Sequence, residues 1–142
     1  MTQPSYNDAL SFMYKRRDQA RVKLALGMHQ PGDTLEKSIL NGEKVGDGLY
    51  SRMERITTHP DVTSNPTALN SSSVACLDFI GAYQEIHRLA DIVRAGRSLT
   101  PYDHGSFLIN YSLLFADMNV FEHMLFEVFS IDSTELIRSS SN

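Results

Sequence analysis

The stretch FLINYSLLFADMNVFEHMLFEVF, Phe107 to Phe129, decides the fold. Sixteen of its 23 residues are apolar. Wound at about 100° per residue, only a narrow sector holding Ser112, Asn119, His123 and Glu127 is consistently polar. A helix that is apolar nearly all round is buried among others. Its length matches a membrane span, but Asn110, Asp117, Asn119, Glu122, His123 and Glu127 lie inside it. Each central carboxylate costs on the order of 2.5–3.5 kcal/mol to place in a bilayer, so the segment reads as a core helix and no membrane association is expected. Thr100-Pro101 opens it, a hydroxyl N-cap followed by proline at the first helical position.

Going back along the chain, residues 72–94 carry the cleanest period. Ala75, Phe79, Ala82, Ile86, Leu89 and Val93 share one face, and Gly96 ends the run. Residues 33–58 place Leu35, Ile39, Gly42, Gly46, Leu49, Met53 and Ile56 on one stripe, with Asp33 and Glu36 as a capping pair. Asn41-Gly42 and Asp47-Gly48 are turn dipeptides that could split this segment. Alternatively, Gly42 and Gly46, one turn apart, admit the close approach of a neighbouring backbone, and one irregular helix is the expectation. The first segment, Ser5 to Met28, has Ser5 and Asp8 spaced as a capping pair and apolar residues at Tyr6, Leu10, Met13, Ala20 and Leu24. Between the second and third segments, residues 57–73 contain His59-Pro60, Asn65-Pro66 and a serine run, and read as a long polar loop. Residues 139–142 read as a frayed tail.

Four amphipathic segments without strand alternation predict an all-α, four-helix bundle-like single domain spanning 1–142. At 142 residues and 42% hydrophobic content there is material for one core. A single cysteine excludes an internal disulfide framework, and a formal charge of −4 argues against a protein that coats nucleic acid. The opening residues lack a charged-then-apolar leader, which predicts a cytoplasmic location. Residues 107–129 carry more apolar surface than three short neighbours cover, so a homodimer through this helix is expected.

The charge is unevenly spread. Ser5–Met28 is +3 and the remainder −7, while Leu99 to Ile137 holds no lysine or arginine. Lys15, Arg16 and Lys23 share one side of the first helix and form a candidate partner-binding face for an acidic protein. No aromatic residues interleave with them to stack bases, so nucleic acid is not the expected partner. Arg17 interrupts the first apolar stripe and Asp117 sits in an apolar sector of the last helix, the pattern of a buried structural ion pair. His123 and Glu127, four apart, have ligand spacing, but two groups are too few for a site, and neither a metal nor a cofactor is expected. Tyr83, His87 and Tyr111 could surround a small-ligand pocket between the third and fourth segments. Cys76 lies at the edge of an apolar stripe and reads as packed.

Arg97 and His104 bracket six residues, Ser98-Leu99-Thr100-Pro101-Tyr102-Asp103, before the last helix. This spacing resembles the R-x(4–6)-H element of the dimeric, all-α HEPN ribonucleases. The resemblance implies a phosphate-stabilising Arg97 and a His104 acting on the 2′-hydroxyl proton. It covers only this element, and Pro101 interrupts it. With no nucleophile elbow, phosphate loop or converging ligand set, the leading expectation is a helical protein–protein interaction module, an adaptor, inhibitor or accessory factor without catalytic activity. The ribonuclease is the alternative.

Overall fold

The computed structural model describes residues 5–13, 15 and 34–139. The fold is all-α: the described residues contain no strand. Residues 6–13 form the described part of α1, opened by the expected reciprocal cap. The Ser5 amide donates to Asp8 Oδ2 at 3.0 Å and the Asp8 amide to Ser5 Oγ at 3.1 Å. Then come α2 (Leu35–Thr57), a one-turn α3 (Pro60–Thr63), α4 (Pro66–Arg94), α5 (Pro101–Phe129) and a short α6 (Ser133–Ser139).

The region 57–73 is not a loop. His59-Pro60 and Asn65-Pro66, which read as breaks, are N-caps followed by a proline at the first helical position. His59 Nδ1 accepts from the Asp61 amide and Asn65 Oδ1 from the Ala68 amide, both at 3.1 Å. The serine run continues the helix. Ser71, Ser72 and Ser73 donate to the carbonyls of Thr67, Ala68 and Leu69, four residues back, so their hydroxyls are satisfied even where Ser71 and Ser72 are buried. α4 is therefore a full turn and a half longer than its apolar stripe predicts. It ends as expected at Gly96, whose φ of +69° closes a turn in which the Arg97 amide donates to the Ile92 carbonyl. Of the anticipated tail 139–142, Ser139 belongs to α6, a helix the sequence reading missed, and 140–142 lie outside the described residues.

α2 is one uninterrupted helix, capped by Thr34 rather than Asp33, with Ile39, Gly42, Gly46, Met53 and Ile56 buried on the predicted stripe. α4 packs against both α2 and α5, and the core includes Phe79, Ile86, Leu89, Leu114, Phe121 and Met124, with Ala9 and Met13 of α1 in the same cluster. The two α2 glycines are spaces for rings rather than for a neighbouring backbone. A Cβ on Gly42 would lie 3.0 Å from Phe107 and 3.3 Å from Tyr111; one on Gly46 would lie 3.3 Å from both Leu114 and Tyr83. Gly48, on the exposed side of the same helix, faces open space.

This contrast makes a prediction. Gly48→Ala should raise stability by about 0.5–1 kcal/mol, the ordinary helix-propensity gain. Gly42→Ala makes the same gain but must displace the buried Phe107 ring, and should lower stability by about 1–2 kcal/mol net. Urea unfolding of both variants checks the opposite signs.

Candidate functional site

Of the proposed basic face, Lys15 is exposed, whereas Arg16 and Lys23 lie outside the described residues. So does Arg17, the partner expected for Asp117. Asp117 itself is buried, with 2% of its surface exposed, in the middle of α5.

Arg97 follows the Gly96 turn and His104 sits in the first turn of α5; both are exposed. No described hydrogen bond or ion pair joins them or orients the histidine ring. The polar chemistry at this corner belongs to their neighbours. Thr100 and Asp103 form a reciprocal cap at the start of α5: the Asp103 amide donates to Thr100 Oγ1 at 3.1 Å and the Thr100 amide to Asp103 Oδ2 at 2.9 Å. Arg88, one turn and a half before the end of α4, donates to both Glu85 oxygens at 2.6 and 2.8 Å and to Asp103 Oδ1 at 3.2 Å. Ser106 donates to Glu85 as well, and Asn110 to the Ser106 carbonyl at 2.8 Å. Glu85 and Arg88 lie three apart on α4, so their pairing with each other is local. That they clamp α5 depends on the α4–α5 register, which a single helix period does not disclose.

A second ladder ties α2 to α4. Tyr83 donates its hydroxyl to Asp47 and stacks on Tyr50 at 4.8 Å between centroids. His87 places Nδ1 2.8 Å from Glu43 Oε2 and Nε2 3.0 Å from Asp47 Oδ1, and Arg94 holds Glu43 through two bonds of 2.5 and 2.9 Å. Burial comes first, and the Asp47 carboxylate next, in pushing the Tyr83 phenol above its ordinary range. Tyr111 stacks on Phe107 instead, over Gly42. The three side chains offered for a ligand pocket are thus spent on packing α2.

At the far end of the molecule, Arg52 of α2 grips Glu122 of α5 through bonds of 3.0 and 2.6 Å, Ser133 of α6 donates to the same carboxylate, and Arg55 donates to the Ile137 carbonyl at 3.0 Å. Beside this junction an open cleft of about 450 Å³ is lined by His123, Phe126, Glu127 and Asp132 among others. His123 and Glu127 therefore do share a concavity. Among the described residues, however, no group of three or more histidine, cysteine, aspartate or glutamate side chains is arranged to hold a metal ion. Burial pushes the Cys76 thiol up to about 12, which leaves it unreactive near neutral pH. No described helix is long and apolar enough to cross a membrane.

The outer side of α5 is unevenly covered. Ser112 and Ala116 are buried, yet Tyr102, Leu108 and Ile109 stay 76%, 43% and 62% exposed, and Phe126 55%.

The corner cluster has a pH signature. The Arg88 guanidinium foremost, with Ser106, holds the Glu85 carboxyl below its usual range; the Thr100 amide foremost, with Arg88, does so for Asp103. A carboxyl depressed in the folded state binds fewer protons there than in the unfolded chain. Its contribution is therefore complete above the unfolded values, about 4, and is lost as pH falls through the folded ones. Arg88→Met should flatten the loss of stability below about pH 4.5 relative to the parent chain, read from urea midpoints across the acid range. An unchanged slope would dissociate Arg88 from that titration. No protein-family model matches the chain, and no curated protein or solved structure matches it either, so the roles of these residues rest on their chemistry alone.

Proposed function

We propose that this chain is a small helical protein–protein interaction module, an adaptor, inhibitor or accessory factor without catalytic activity, built as a four-helix bundle of α1, α2, α4 and α5. The observation that carries this reading is the exposed apolar surface at the start of α5. Tyr102, Leu108 and Ile109 stand in solvent on a helix that also supplies Phe107, Leu114, Phe121 and Met124 to the core. Contiguous exposed apolar side chains mark contact surfaces on soluble proteins. The face between Tyr102 and Ile109 is also free of unpaired charge. Asp103 is buried in its cap, and Gly105 presents no side chain. Two copies of an acidic chain meet with least repulsion where neither carries charge, and this supports a homodimer through the first half of the 107–129 segment. Lys15, Arg16 and Lys23 are proposed to steer an acidic partner, Lys15 being exposed.

The ribonuclease alternative has less support, because nothing described orients His104 as a base or places it against Arg97.

Light scattering at high micromolar concentration should give a particle of twice the 16.0 kDa chain mass, and Ile109→Glu should return it to the monomer with its helical circular dichroism intact. A 16.0 kDa particle at every concentration would contradict the dimer. RNA incubated with the parent chain and with His104→Ala should survive equally; cleavage abolished by the substitution would replace this reading with the enzymatic one.

A further inference from the structure

The cleft between the C-terminal half of α5 and α6 has a chemistry opposite to the basic face, and it fits a different kind of partner surface. Its lining includes the carboxylates of Glu122, Glu127 and Asp132 and no lysine or arginine, with Arg52 of α2 reaching Glu122. Leu99 to Ile137 carries six carboxylates and no lysine or arginine. α5 also ends with no basic residue in its last turn, so no side-chain cation of its own offsets the helix's negative pole, although the Ser130 and Ile131 amides cap the Phe126 and Leu125 carbonyls.

The carboxylates around the cleft are not equivalent. Glu122 is spent on Arg52 and Ser133. Asp132 uses Oδ1 to accept the Thr134 and Glu135 amides at 3.0 and 3.3 Å, capping α6, and its other oxygen is uncommitted. Glu127 is exposed and takes part in no described hydrogen bond or ion pair. These groups do not converge as metal ligands, so a compact divalent cation has no cage here. The same cleft is lined by an aromatic ring, Phe126, with 55% of its surface exposed. Separated carboxylates beside an open aromatic face suit a delocalised cation on a long apolar stem. A guanidinium can pair with the carboxylates while its plane and methylenes cover the ring.

We propose that this cleft is a docking site for an arginine-bearing segment of a partner protein, with Phe126 receiving the side-chain stem and Glu127 and Asp132 its charge. The proposal rests on the interaction-module reading and adds to it the place and the chemistry of the contact. It uses the opposite end of α5 from the self-association surface, so the two can fail separately.

The probe is a synthetic arginine–leucine helical peptide, with its glutamate-for-arginine counterpart as control, titrated into the full chain and followed by backbone amide chemical shifts. The arginine peptide should shift amides of residues 119–134. Phe126→Ala and Glu127→Gln should each weaken binding by about five- to ten-fold. Glu36→Gln, at the far end of α2, should leave it unchanged, and raising the salt concentration should weaken it. Failure of the arginine peptide to bind would overturn the docking site, as would equal binding of the glutamate peptide, shifts located elsewhere, or indifference to both cleft substitutions. Because the Ile109→Glu variant is tested independently by particle mass, a dimer without peptide binding rejects the cleft alone.

Discussion

Two absent side chains on one face of α2 set the distance at which the three long helices meet. At Gly42 the vacant space is taken by Phe107 and Tyr111 of α5, and at Gly46 by Leu114 of α5 and Tyr83 of α4. Each glycine costs about 1 kcal/mol of helix propensity. Seating a Phe or Leu side chain in the core is worth about 1.5–3 kcal/mol, so the exchange favours the glycines where a ring occupies the space. The long-range polar contacts depend on the same approach. Asp47 meets Tyr83 and His87 of α4, and Arg52 meets Glu122 of α5, where α2 comes within side-chain reach of each neighbour.

That geometry explains how polar side chains are accommodated on so apolar a helix as α5. Asp103 and Ser106 are drawn into the Arg88 cluster, Glu122 is gripped from α2 and α6, and Ser112 returns its hydroxyl to the Leu108 carbonyl. Asp117 is held buried in the middle of the helix, and the exposed large apolar side chains of α5 lie towards its two ends. The first end is apolar and uncharged, around Ile109; the second is acidic with one open ring, around Phe126. The proposed interaction module would use these two ends as separate contact surfaces.

Much of this was legible in the residues. The stripes of α2 and α4 match their buried faces almost residue for residue, because helical period is a local property that burial then selects. The Ser5–Asp8 and Thr100-Pro101 starts were readable as caps for the same reason. Residues 57–73 were misread because asparagine or histidine before proline is both a turn signal and a helix-start signal. The choice between them is made by whether the following amides find carbonyls four back, as the Thr63 amide finds His59 and the Leu69 amide finds Asn65. α6 is too short to show a period. The contact networks were not readable at all: Glu85 with Ser106, His87 with Glu43, and Arg52 with Glu122 are far apart in the chain, and their meeting depends on the register between helices. The juxtaposition of His123 and Glu127 was visible, but the cleft they share requires α6 to fold back beside them.

The seating of rings over α2 can be observed directly. In a nuclear Overhauser spectrum of the full chain, the Hα protons of Gly42 should contact ring protons of Phe107 and Tyr111, and those of Gly46 the Tyr83 ring and Leu114 methyls, with both glycines shifted upfield by ring currents. A helical α2 whose glycine Hα protons show no such contacts and ordinary shifts would mean that the helices meet differently, and both surfaces of α5 would then have to be redrawn.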